Sequence, residues 1–359
     1  MHGKNYWPTG DIIRVAGILG VLFIHITEFS LRNPNNPTEL DLQWWLLNLG
    51  QSLSIWAVPG FIMLSGALLL NPKIQEESSS TFYQKRLKRI GLPLVFWILV
   101  YLPFQHWYTS QPFPYLARKI LYGYVSGHLY FLFIVAGLYL LTPWLRHILN
   151  QSSPQQKLVF CIAFFIFIAG IQLANQLTLS WRWNALNRWV PHLGYYVIGH
   201  YIVNYALDKL GFFMLLSTIG ILTTTGGKYL EIIANPNGVL FFYSTNYFSF
   251  TLIPLAIGFF GLLVCLTQSI SVESKLVNIC RFLAPTTFGI YLVHPIFLRG
   301  MHKLFNTKFP SHFEIALLHE VGLGLASILV VYGIGLIPGL RSVVSCHTQK
   351  LFTSIAPNS

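Results

Sequence analysis

Two side chains in the first apolar run carry chemistry that a membrane segment does not hold cheaply. Arg14 and His25 stand eleven residues apart. At about 100° per residue that spacing is roughly 20° beyond three full turns, so on a helix the two share a face and lie about 16 Å apart along the axis. Asp11 and Glu28 fall near the same stripe, one at each end, and the remaining face is Ile, Val, Leu and Phe. An ionisable group inside a membrane span is costly and points by default to a functional site. Arginine is permanently charged and forks onto phosphate or carboxylate. Neutral histidine takes a proton from a hydroxyl, and Glu28, one turn on, can orient the ring and stabilise its cation. The stripe suits a phosphate-bearing donor near Arg14 and a hydroxyl acceptor near His25. It equally suits plain hydrogen bonding within a helix bundle, and alone it does not choose.

Further groups of this kind follow along the chain. Arg86 and Arg89 lie three apart, share a face on a helix and can clamp a phosphate, although they serve as well for topology and anionic-lipid contact. Ser65-Gly66 ends the second apolar run, where a small pair permits close helix approach. His128 and Tyr130 open the fourth run, and Thr142-Pro143 is expected to close it with a kink. In Tyr291-Leu-Val-His294-Pro295 the proline disturbs the helix beside His294, which makes that histidine a cavity-lining candidate. His192, His200 and His302 sit nearer span ends and read as interfacial. No histidine pair has metal-ligand spacing with carboxylates, so no metal is expected. The four cysteines match no zinc or CxxC pattern.

The elements that position these groups are membrane helices. Charged residues are 9% and hydrophobic ones 54%, whereas a soluble domain carries about a quarter charged residues. The formal charge of +12 sits in short loops between apolar runs. That placement marks topology and lipid or phosphate contact rather than nucleic acid, which is excluded. A span needs about 20 apolar residues. Ten are expected, near 12–29, 44–70, 91–108, 129–149, 158–175, 190–207, 211–226, 247–268, 284–301 and 320–340, with the sixth and seventh either separate or one interrupted element. The fold class is an all-α polytopic helix bundle. Basic residues favour the side that holds Lys73, Lys85, Arg86, Lys88 and Arg89, which places both termini in the cytoplasm. One membrane domain is expected over 1–345, with a short cytoplasmic tail over 346–359.

Taken together, these stretches resemble the acyltransferase-3 family of bacterial inner-membrane O-acyltransferases, which includes acetylases of surface polysaccharides and enterobacterial common antigen. Arg14 and His25 are similar to its Arg-x10-His opening. Pro59-Gly-Phe-Ile-Met-Leu-Ser65-Gly66 is similar to its run ending in Ser-Gly, and Arg86-Leu-Lys-Arg89 resembles its Arg-x-x-Arg loop. His128-Leu-Tyr130-Phe-Leu and Tyr291-Leu-Val-His294-Pro295 resemble its fourth-span and late motifs. Ile62 and Tyr130 depart from it, where Phe and Trp are common. The resemblance implies acetyl-CoA as donor on the cytoplasmic side and a hydroxyl of a glycan or lipid-linked sugar as acceptor. It implies His25 as the catalytic residue, Arg14 as its essential partner and Glu28 beside it. On that reading Arg86, Arg89, Arg14 and Ser65 contact the donor, and Tyr291, His294, His128 and Tyr130 line the acceptor end. The inner membrane is the expected location. The competing expectation is a glycolipid transporter or flippase, which moves substrate without consuming acyl-CoA. A scaffold or sensor leaves the Arg–His stripe without a purpose.

Overall fold

Long apolar stretches interrupted by polar caps give a chain of helices. The computed structural model describes residues 6–32, 40–71, 78–177, 183–234, 243–305 and 309–344, and no strand occurs among them. Lys73, Cys346 and the expected tail 346–359 lie outside the described residues. The helices are α1 (Pro8–Arg32), α2 (Leu42–Ser54), α3 (Ala57–Leu69), α4 (Ser79–Arg86), α5 (Leu92–Thr109), α6 (Phe113–Leu121), α7 (Tyr130–Gln151) and α8 (Pro154–Leu177). They continue as α9 (Leu193–Tyr205), α10 (Leu210–Ala234), α11 (Leu252–Thr267), α12 (Lys275–Leu283), α13 (Thr287–Phe305), α14 (Phe313–Leu336) and α15 (Arg341–Val344). Starts follow local chemistry. Asp41 accepts the Trp44 N–H at 2.8 Å ahead of α2, and Ser274 accepts the Val277 N–H at 3.2 Å ahead of α12.

Among the described residues eight helical units are long and apolar enough to cross a membrane, so the chain is a polytopic membrane protein close to the expected count. The two remaining expected spans are α9, of 13 residues, and α11, of 16, both short of the roughly 20 that lipid contact requires. A turn at 206–209 separates α9 from α10, so the sixth and seventh expected spans are distinct elements. Helix α7 runs through Pro143 to Gln151 rather than closing there.

Helix α1 occupies the middle, packing on α2, α3, α11, α12, α13 and α14. Helices α8, α10 and α14 lie outside and turn Leu, Ile and Phe outward, as lipid-facing helices do. Where α3 crosses α9, a Cβ on Gly66 would stand 1.7 Å from the Tyr196 carbonyl oxygen, and one on Gly199 would stand 2.1 Å from that of Met63. Only two glycines facing each other permit that approach. His192 and His200 are both buried within the protein, His192 with its ring centroid 4.8 Å from that of Phe248. His200 lies within hydrogen-bonding distance of Asn204, at 3.2 Å.

Candidate active site

Two polar regions meet inside the bundle. The first is a cavity of about 940 Å³, enclosed by α1, α3, the turn joining α4 to α5, α7, the start of α13, and α15. That joining turn is unusual. Residues Leu87–Gly91 wind as a π-helix, with the Leu92 N–H reaching back to the Leu87 carbonyl. Pro93 has no N–H for the Arg89 carbonyl four residues back, which favours the wider turn. From it Lys85, Arg86, Lys88 and Arg89 all face the cavity. Arg86 lies against aromatic rings, its guanidinium carbon 5.1 Å from the Phe82 centroid and 5.7 Å from that of Tyr139. Arg14 enters from α1 and Arg341 from α15, where its Nε donates to the Gly335 carbonyl at 2.7 Å.

Among the described residues six cations line the cavity, with one carboxylate, that of Asp11. Asp11 is already engaged, accepting from Arg14 Nη1 at 2.5 Å and from the Tyr6 hydroxyl at 2.9 Å. The excess positive charge, with the Ser65 hydroxyl and the apolar walls of Leu64, Leu68 and Val135, fits a ligand with several phosphate groups and an apolar arm.

The second region is a cluster of three histidines, from α1, from the residues just ahead of α7, and from α13. The ring centroids of His25 and His294 are 5.2 Å apart, and those of His128 and His294 are 5.8 Å apart. His294 Nδ1 lies 3.0 Å from the Ile290 carbonyl. A carbonyl only accepts, so Nδ1 carries the proton and Nε2 is left as a lone pair. That atom and His128 Nε2 are buried without a hydrogen-bond partner. Pro295 cannot donate to the Tyr291 carbonyl, and the Tyr101 hydroxyl bonds the next carbonyl, of Leu292, at 2.7 Å. His128 and His294 are 2% and 0% exposed, whereas the His25 side chain keeps 31% of its surface. His25 is thus the ring of the three that a small molecule can reach. Its Nδ1 faces Glu28 Oε2 at 3.9 Å, within ion-pair range but beyond a hydrogen bond.

Tyr291 belongs to both regions. It lines the basic cavity, its ring lies 5.5 Å from that of His128 and 6.0 Å from that of His294, and its hydroxyl donates to the His128 carbonyl. The cavity walls end at Tyr291, Phe131 and Leu132 and do not include His25. Arg14 lines that cavity, and His25 stands in the histidine cluster that Tyr291 also touches.

The structure thus gathers Arg14, Ser65, Arg86, Arg89 and Tyr291 in the cavity, and His25, Glu28, His128 and His294 beyond it. Tyr130 stands apart, bonded to the Tyr247 hydroxyl with its ring centroid 5.8 Å from the Arg188 guanidinium carbon. Lys85, Lys88 and Arg341 are added by the fold. So are Tyr101 and Arg299, whose Nη1 reaches the Ser126 hydroxyl at 3.4 Å. Among the described residues no group of three or more His, Cys, Asp or Glu side chains is placed to hold a metal ion.

A family model described as an acyltransferase domain matches residues 10–336. No curated protein and no solved structure matches the chain.

Proposed function

The chain belongs to the acyltransferase-3 family, whose match covers nearly its whole length, and on that premise we propose that it moves an acetyl group from acetyl-CoA to a hydroxyl of a cell-surface or lipid-linked glycan. The observation that carries this reading is the juxtaposition at Tyr291, with a strongly basic cavity on one side and a reachable histidine among buried ones on the other. Acetyl-CoA enters the basic cavity, its phosphates on Arg86 and Arg89 with Lys85, Lys88 and Arg341 around them, and its apolar arm along α3 past Ser65. Arg14, tied to Asp11, lines that path. The membrane is the bacterial inner membrane, with the termini and the basic cavity on the cytoplasmic side.

His25 works on the acceptor. Its Nδ1 faces Glu28, so Nε2 takes the proton of the acceptor hydroxyl. The freed oxygen attacks the thioester carbonyl, the carbon–sulfur bond breaks, and the departing thiolate recovers the proton from the imidazolium. Glu28 stabilises that cation while it exists. A two-step route, in which Nε2 carries the acetyl group before the hydroxyl takes it, uses the same atoms. His128, His294 and Tyr291 shape the acceptor end, and Tyr130 lines the approach to it.

The test is purified protein with radiolabelled acetyl-CoA and the glycan fraction of a deletion strain. Label passes to glycan with wild-type protein. His25→Ala lowers the rate by about 10²–10⁴-fold, the range of a general base. Near-normal transfer by that variant removes His25 from the reaction, and glycan movement without acetyl-CoA consumption replaces the enzyme reading with a transporter.

A further inference from the structure

At the end of α5 remote from the basic cavity, about 27 Å along the helix, lies a second concavity of about 490 Å³. Three cations line it, Arg118, Lys119 and Arg188, together with the rings of Tyr115, Tyr122, Tyr124 and Trp183. Neither contributing stretch, 109–130 or 183–192, contains an acidic residue. The pocket is a built feature. The Ala185 N–H donates to the Leu121 carbonyl at 3.0 Å, and Arg188 Nη2 donates to the Tyr122 carbonyl at 2.9 Å, which stitches the two stretches together. Gly123, at φ 61°, makes the turn between Tyr122 and Tyr124 in the first of them. Lys119 Nζ lies 4.9 Å from the Tyr115 centroid, and the Arg188 guanidinium carbon lies 5.6 Å from that of Tyr124. Arg188 Nε is buried with no partner. Burial also lowers the pKa of this guanidinium, as expected where no counter-anion is present.

The concavity lies near the histidine cluster. A Cβ placed on Gly127 would stand 3.8 Å from the Tyr124 hydroxyl and 3.3 Å from Arg299 Nη2. Tyr124 of the pocket wall and Arg299 therefore both stand beside Gly127, the residue that precedes His128. Cations alone would suit any anion at a membrane surface. Four aromatic rings in a concave wall, close to the residue that precedes His128, suit a sugar, whose C–H faces stack on rings while its acidic group meets the cations.

We propose that this pocket is an acidic-saccharide subsite, binding a carboxylate- or phosphate-bearing sugar unit of the acceptor while a neighbouring unit presents its hydroxyl to His25. The proposal rests on the transfer reading above and narrows the acceptor to anionic glycans. Full-length protein in phosphatidylcholine nanodiscs is titrated, without acyl-CoA, with tetragalacturonate and with its methyl ester. Wild-type protein binds the acid about tenfold more tightly, as one charge-assisted contact gives, and the gap shrinks with salt. The double variant Arg118→Gln/Lys119→Gln, on largely exposed positions, closes the gap while melting like wild type. Nanodiscs that contain phosphatidylglycerol leave the preference in place.

Equal affinity for acid and ester, a gap that survives the double variant, or a preference abolished by phosphatidylglycerol each overturns the proposal; the last assigns the cations to lipid headgroups. The titration uses no acyl-CoA, so its failure leaves the transfer reading standing. A preserved acid preference without label transfer sinks the transfer reading alone.

Discussion

Ser65 and Gly66 are neighbours on α3 with opposite surroundings, and substituting each in turn tests the geometry of the whole donor region. Ser65 lines the basic cavity, whereas Gly66 faces the α9 backbone. In Gly66→Ala the new methyl would lie 1.7 Å from the Tyr196 carbonyl oxygen and 2.7 Å from its carbon. Ordinary contact between such atoms needs well over 3 Å, so α3 and α9 must part by roughly 1.5 Å, a shift that no side-chain rotation can absorb. Overpacking of one methyl typically costs about 1–3 kcal/mol. With backbone as the obstacle the upper end applies, so thermal unfolding of the purified protein in detergent, followed by size exclusion, drops by several degrees. Ser65→Ala removes one neutral hydrogen-bonding group, worth about 0.5–1.5 kcal/mol. Its melting stays at the wild-type value while the acetyl-CoA KM rises about two- to tenfold. A Gly66→Ala protein that melts like wild type would falsify the close crossing, and a Ser65→Ala protein with unchanged KM removes Ser65 from the donor path.

Two other perturbations separate the compartments. Arg89→Gln weakens acetyl-CoA binding about tenfold or more and lessens its dependence on salt; titration at low and high ionic strength reads both, and an unaltered salt response places the phosphates elsewhere. Tyr291→Phe deletes the hydroxyl that holds the partition to the His128 carbonyl. It lowers kcat about tenfold with donor affinity intact in equilibrium titration, and a change confined to donor affinity refutes a role at the junction.

Much of the site was readable because charge is so scarce in this chain. Arg14 and His25 stand out against an apolar background, and the 3.6-residue period puts them on one stripe. The period says nothing of depth, however, and the cavity that Arg14 lines includes Tyr291, Phe131 and Leu132 but not His25. The spacing of Arg86 and Arg89 indicated a shared face, but Pro93 and the π-helical turn that carries Lys88 and Arg89 to the cavity are a matter of backbone register. Arg341 had no local signal at all, since it arrives from the far end of the chain. His192 and His200 looked interfacial because they sit nearer the ends of their expected span, and that expected span is not a full crossing. Helix α9 is short for another reason, being held among α3, α8 and α11 instead of meeting lipid along its length. The amphipathic helices α6 and α12 were concealed within what read as a loop and a span margin. Neither is apolar enough to register as a crossing, and both take their place from the helices they touch.

The tyrosine at the meeting of the two compartments also bears on electrical insulation. A potential of 100 mV across a bilayer is worth about 2.3 kcal/mol for each elementary charge that crosses, and an unbroken file of water through a protein would drain it. Here the Tyr291 hydroxyl, clamped to the main-chain oxygen of His128, stands where the basic cavity meets the histidine cluster, the place for a stopper. An uncharged acyl group handed past that stopper carries no current, so the proposed chemistry can join the two faces of the membrane without discharging it.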